Sequence, residues 1–153
     1  MLFEKKENSP KILEKENIVM NCSSVSHEDA IMRSGKLLTQ AGYVRPKYIE
    51  GMLLRDKEFS TAIGNLIAIP HGTKEYKEEI LHTGLVVCAY PDGILWNGET
   101  VKLVIGIAAK GDEHLEILEK IVDVFEDESA VEQIVMSGDA QAVYLALSPG
   151  EDK

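Results

Sequence analysis

Three short apolar runs, Leu66-Ile67-Ala68-Ile69, Leu85 to Tyr90 and Val101 to Ala109, lie mid-chain between segments whose apolar residues recur at three- and four-residue steps. Runs of this length suit strands. They are punctuated by turn-forming residues: Pro70-His71-Gly72-Thr73, Pro91-Asp92-Gly93 and Asn97-Gly98. Asn17-Ile18-Val19-Met20-Asn21 adds a short first strand. Strands bracketed by helices predict an α/β fold, a single-domain sandwich with a mixed β-sheet flanked by helices.

The helices have legible ends. Ser26 stands where an N-cap belongs, with Glu28 and Asp29 in the first turn, and Gly42 closes the segment. Pro46 opens a second helix at a position where its missing N–H costs nothing. Ile49, Met52 and Leu53, extended by Tyr48 and Phe59, form its expected buried stripe. Asp56 breaks that stripe and calls for a partner. Further on, Asp112 is expected to cap a helix buried through Leu115, Leu118, Ile121, Val122 and Phe125. Two shorter helices over about 129–137 and 139–147 complete the pattern, with Ser137-Gly138 between them and Ser148-Pro149-Gly150 after them.

The 153 residues and the balance of apolar and charged side chains are those of one globular domain. Residues 1–11 form a polar lead-in and 12–148 the domain. A formal charge of -10 argues against nucleic acid, which is bound largely by Lys and Arg neutralising phosphates, and against an anionic membrane surface. No run approaches the roughly 20 apolar residues of a membrane helix, and the N-terminus has no signal-peptide core, so the expected location is cytoplasmic. Cys22 and Cys88 supply neither a disulfide framework nor a metal knuckle, and Cys88 within its apolar run reads as a buried hydrophobe.

The four histidines differ in their surroundings. His27, in a charged first turn, and His82, before a strand, read as structural. His71 follows a strand at its carboxyl end, where α/β sheets place ligands. Pro70 fixes the entry to that loop, Gly72 leaves space and backbone N–H access beside the ring, and Thr73 offers a hydroxyl to orient an imidazole nitrogen. His114 falls in the first turn of a helix, where the dipole favours a neutral ring and a nearby anion, although taken alone a solvent-facing residue on a capped helix is the better explanation. Arg55 lies at the border of its helix's apolar stripe. Its planar fork suits phosphate, while the plain alternative is a stem covering the core edge.

Neutral imidazole is nucleophilic near pH 7 and forms a labile phosphoramidate, so it can carry a phosphoryl group. Such a carrier needs an exposed ring nitrogen, donors for the phosphoryl oxygens and in-line positioning. His71 with Arg55 and His114 would meet that list. No Walker-type glycine loop points to a nucleotide, and no cofactor is implied.

Met52-Leu53-Leu54-Arg55-Asp56 followed by Ile63-Gly64-Asn65-Leu66-Ile67-Ala68-Ile69-Pro70-His71-Gly72-Thr73 closely resembles the phosphorylation-site region of the mannitol–fructose family of enzyme IIA domains of the bacterial sugar phosphotransferase system. The likeness continues through Trp96-Asn97-Gly98, Val101 to Ala108 and Asp112-Glu113-His114-Leu115, spanning about residues 12–147. The resemblance implies a phosphoryl relay. His71 would accept phosphate on Nε2 from the phosphohistidine of HPr and pass it to a cysteine of a separate enzyme IIB domain or IICB transporter. Arg55 would pair with the phosphoryl group, His114 would hydrogen-bond beside it, and Gly72 and Thr73 would complete the phosphoryl-contacting set. The second histidine favours the sugar-transporting branch, mannitol first, over nitrogen-regulatory relatives. Cys22-Ser23-Ser24-Val25 lacks the glycine-rich continuation of a IIB loop, so the chain is expected to be a standalone IIA subunit.

Three other functions compete, one of them a catalytically silent binding domain that would fail to label with phospho-HPr. A regulatory module would sense phosphorylation at His71 without feeding transport. A metal-dependent hydrolase would use His71 and His114 as ligands, but zinc normally needs three protein ligands, and no HExxH or clustered third ligand is present. No metal is therefore expected.

Overall fold

Asn97 and Gly98 both take positive φ, 50° and 91°, and close the hairpin on which the molecule is built. Two left-handed residues in succession match the twist of the flanking strands. The computed structural model describes residues 11–148, so all but the last residue of the expected 1–11 lead-in, and the Pro149-Gly150 stop, lie outside the described residues. The hairpin joins β4 (Gly84–Trp96) to β5 (Glu99–Ala108). Around it stand β1 (Ile18–Val19), β2 (Ala62–Gly64) and β3 (Ile67–Ala68). The helices are α1 (His27–Gln40), α2 (Tyr48–Glu58), α3 (Glu113–Val124), α4 (Glu128–Ser137) and α5 (Ala140–Leu147).

The five strands run in the order β1-β4-β5-β3-β2. β1 pairs parallel to β4 and β3 parallel to β5, while β4–β5 and β2–β3 are antiparallel, so the sheet is mixed as expected. Period-2 alternation splits β4 between two cores. Val86, Cys88 and Tyr90 pack with Ile31 and Leu38 of α1 and Met52 of α2. Leu85, Val87 and Ala89 pack with Ile117 and Ile121 of α3, Val131 and Val135 of α4 and Val143 of α5. Both faces are covered, which is why these strands read as unbroken apolar runs. Among the described residues no helix is long and apolar enough to cross a membrane.

Several local expectations are corrected. Pro91-Asp92-Gly93 is not a turn between strands. β4 continues through it as a bulge, the register shifting between Ala89 and Ile94 before Ile94 pairs with Val101. Ser24 Oγ donates to the Gly93 carbonyl at 2.5 Å, holding the bulged backbone. Leu66 is not the start of a strand: Asn65 and Leu66, with φ of 54° and 69°, form the turn of a β2–β3 hairpin. Both residues carry side chains, so the glycine that usually marks such a turn is missing from these positions. The first strand is confined to Ile18–Val19. A 3-10 helix over Lys74–Glu79 had no periodic signal.

The buried faces of α2 and α3 also differ. Phe59, placed in the stripe of α2, is 72% exposed, and Asp56 is buried instead. In α3 Ile121, and Phe125 just after it, are buried as expected, but the sheet-facing side continues through Ile117, whereas Leu115 and Val122 are exposed. That side brings His114 inward, since 114, 117 and 121 share a helix face. Asp112 precedes this helix without a side-chain cap bond. The entry is held by Thr83 instead: its hydroxyl donates to the Glu113 carboxylate and accepts from Lys110 N–H at 3.0 Å.

Candidate functional site

His71 sits in the loop that leaves β3, and β5 guides that loop beyond the last regular pair. Ile107 N–H donates to the Pro70 carbonyl at 2.9 Å. The imidazole then folds back on its own strand, with Nδ1 2.7 Å from the Ile69 carbonyl. A carbonyl only accepts, so Nδ1 carries the hydrogen and Nε2 keeps a free lone pair. The orienting group is this backbone carbonyl. The Thr73 hydroxyl, expected to orient the ring, is buried with no hydrogen-bond partner among the described residues.

The expected free N–H of Gly72 is likewise corrected. Gly72 N–H donates to the Tyr48 hydroxyl at 2.8 Å, and that hydroxyl donates to the Ile107 carbonyl at 3.0 Å. Tyr48 is 2% exposed. Burial, partly offset by the Gly72 bond, pushes its phenol up to about 12. It therefore stays protonated and fixed. Helical spacing assigns Tyr48 only an apolar role; nothing in the residue pattern marks the partners of a phenol.

His114 meets His71 from the other side, their ring centroids 4.9 Å apart and the planes inclined at 52°. Arg55, seven residues along α2 from Tyr48 and so about two turns further on, faces the same cleft. The cleft encloses about 1110 Å³, with His71, His114, Arg55, Gly72 and Thr73 all on its wall. All five sequence-predicted site residues thus come together. Arg55 is tethered by Nη1–H donating to the Phe59 carbonyl at 2.8 Å, with its guanidinium 5.8 Å from the Phe59 ring centroid.

The electrostatics favour neutral imidazoles. Burial, opposed by the Ile69 carbonyl and reinforced by the nearby His114 and Arg55, lowers His71 to about 4. Burial and Arg55 lower His114 in the same direction. At neutral pH the site therefore presents an unprotonated ring nitrogen in a cleft shared with the Arg55 guanidinium, which suits attack on an electrophile whose oxygens are anionic. His71 and His114 are the pair a metal would use. Among the described residues no group of three or more His, Cys, Asp or Glu could hold a metal ion.

Residues 11–149 match the model of the family described as the phosphoenolpyruvate-dependent sugar phosphotransferase system, EIIA 2. The chain belongs to that family. It is thereby related to enzyme IIA components of phosphotransferases. A mannitol-specific phosphotransferase enzyme IIA component from Halalkalibacterium halodurans is 44% identical over 139 residues, covering 91% of this chain and 96% of that protein. The crystal structure of the mannitol IIA of Escherichia coli superposes with a TM-score of 0.81 at 37% identity, covering 88% of this chain and 98% of that one. A solution structure of the Escherichia coli mannitol IIA with phosphorylated enzyme IIB matches with a TM-score of 0.82 at 36% identity, covering 88% and 97% of the two chains.

The two remaining histidines do not line the cleft, and one carries a correction. His82 is exposed. His27 is not a plain surface residue: it is half-buried, with its ring 5.5 Å from that of Trp96 and Nε2 3.4 Å from Asp56 Oδ2. Cys88 is fully buried as expected, and Cys22 is buried beside the same core.

Proposed function

We propose that this chain is a phosphoryl carrier of a mannitol phosphotransferase system, accepting phosphate from phospho-HPr on Nε2 of His71 and passing it to a cysteine of enzyme IIB in the cytoplasm. The observation that carries this reading is the commitment of His71 Nδ1 to the Ile69 carbonyl, which leaves Nε2 as the free nucleophile at the cleft wall. In the first step the Nε2 lone pair forms a bond to phosphorus as the donor's N–P bond breaks, returning the electron pair to the donor imidazole. In the second step a IIB thiolate attacks phosphorus and the His71 N–P bond breaks.

The surroundings support the same chemistry. Arg55 supplies the charge that a phosphoryl group gathers on its oxygens during transfer. His114 adds a neutral ring beside the nucleophile, which also supports the transport branch over a purely regulatory module. The unpartnered Thr73 hydroxyl is a buried donor waiting for an acceptor, and it takes the role that Gly72 cannot perform while its N–H is held by Tyr48. Gly72 contributes room for the chain rather than a donor.

Incubation with phosphoenolpyruvate, enzyme I and HPr should label one residue, and mapping should place the label on His71. His71→Ala should abolish it; a variant that still labels would remove His71 from the reaction. Stoichiometric passage of the label to mannitol enzyme IIB then separates a transport carrier from a regulatory module, which should transfer poorly.

A further inference from the structure

The two polar groups of Ile107 both act on His71. Its N–H holds the carbonyl of Pro70, immediately before the histidine, at 2.9 Å. Its carbonyl holds the amide of Gly72, immediately after the histidine, but only through the hydroxyl of Tyr48. The phenol occupies the place of a bridging water between β5 and the loop, with the difference that it is covalently anchored in α2. Because Arg55 belongs to the same helix and β5 leads into the segment bearing His114, one hydroxyl ties together the three chain segments that furnish the cleft.

We infer that Tyr48 is a positioning residue of the relay, whose hydroxyl fixes the His71 loop against β5 and thereby sets the direction of Nε2. This inference rests on the phosphocarrier reading for its kinetic consequence, though not for its structural one. Three features argue for a dedicated device over incidental packing. The hydroxyl is satisfied on both sides, as donor and as acceptor, inside a core where an unpaired polar atom would be costly. The ring leaves no room beside Gly72: a Cβ built there would lie 2.7 Å from Tyr48 Cε1. The high phenol pKa keeps the donor role toward Ile107 throughout the neutral range. Transfer in line through phosphorus tolerates little angular error at the nucleophile, so loosening this bridge should slow the chemical step more than it weakens partner docking.

The test is Tyr48→Phe, which keeps the ring and removes only the bridge. Expected are an intact fold by circular dichroism, an unchanged KM for phospho-HPr, and a fall of about tenfold in the turnover of His71 labelling. Imidazole 15N spectra should show the Nδ1–H tautomer of His71 losing dominance. A folded variant with labelling within twofold of the parent and an unaltered His71 tautomer overturns the inference. A rise in KM at constant turnover does so as well, since it would make Tyr48 a docking residue. Should the variant not fold, amide exchange of the parent decides: Gly72 N–H must be protected well beyond the neighbouring exposed loop amides, and exchange at their rate overturns the bridge. If the unaltered protein fails to label at all, the carrier reading falls, while the tautomer and exchange measurements still judge Tyr48.

Discussion

Asp56 Oδ1 accepts the indole N–H of Trp96 at 3.0 Å, joining the last turn of α2 to the end of β4 inside the core. The same oxygen accepts Thr61 N–H at 2.8 Å and the Thr61 hydroxyl at 2.6 Å, while Oδ2 faces His27 at 3.4 Å. A buried carboxylate with this many donors is stabilised only while ionised. Burial pushes the Asp56 carboxyl up, but the Thr61 and Trp96 hydrogen bonds and the His27 charge outweigh it and hold it below the ordinary carboxylate value.

Replacing Asp56 should therefore destabilise the fold strongly. Asp56→Ala leaves the Trp96 and Thr61 donors unpaired and is expected to cost about 2–4 kcal/mol. The sign with pH follows from the depressed folded pKa. Stability from Asp56 is complete above its unfolded value of about 3.9 and is lost as pH falls through the lower folded value. Urea midpoints of the parent and Asp56→Asn, measured from pH 7 to pH 3, should converge toward the acid end. A gap that stays constant with pH would show that the charge of Asp56 does not matter.

The architecture was legible because its signals are local and redundant. Ser26 caps α1 by accepting from Asp29 N–H, as its position before two acids suggested, and Asn97-Gly98 forms the hairpin turn. The site's three principal residues were legible as chemistry in a suggestive setting. What escaped notice depended on tertiary partners. A Pro-Asp-Gly triplet looks the same in a turn and in a bulge, and only pairing of Ile94 with Val101 decides between them. Leu115 and Val122 satisfy helical spacing around Ile121 as well as Ile117 does, so spacing could not choose which side of the helix meets the sheet. The Tyr48 hydroxyl and the Asp56 carboxylate act across 59 and 40 residues of chain, through groups whose partners no spacing rule encodes.

His71 should remain neutral far into the acid range. With its pKa near 4 against about 6.5 when unfolded, the folded ring resists the proton that the unfolded chain takes up. Its contribution to stability is complete above about 6.5 and falls away as pH drops toward 4. Histidine NMR titration should place the His71 midpoint near 4, and the labelling rate should stay flat between about pH 6.5 and 8 as far as His71 ionisation governs it. A His71 midpoint near the ordinary value would contradict the burial of the ring.

Arg55 acts on the site in two ways that separate experimentally. Its charge lowers both His71 and His114, so Arg55→Ala should raise both midpoints even in the absence of any phosphoryl donor. Its guanidinium should matter again during transfer, when oxygen charge develops, and its loss is expected to slow the relay by about 100-fold. Arg55→Lys should restore the midpoints better than the rate, because an ammonium keeps the charge but not the two-pronged geometry. Equal recovery of both would leave charge alone as the contribution of Arg55.

Gly72 and Gly98 offer a paired comparison between crowding and backbone strain. At Gly72 an added Cβ would lie 2.7 Å from Cε1 and 3.0 Å from Cζ of Tyr48, a ring held at its hydroxyl from both sides and unable to give way. At Gly98 no atom of the described residues lies within 4 Å of an added Cβ, but φ is +91°. Gly98→Ala should cost about 1 kcal/mol through its backbone and leave His71 labelling as it was. Gly72→Ala should cost about 1–3 kcal/mol by overpacking and, in displacing the Tyr48 ring, also slow labelling. Thermal melts give the first quantity and phospho-HPr labelling the second. If Gly72→Ala were to melt lower yet label at the parental rate, the loop would tolerate movement beside His71, and the close packing of Tyr48 would matter for stability alone.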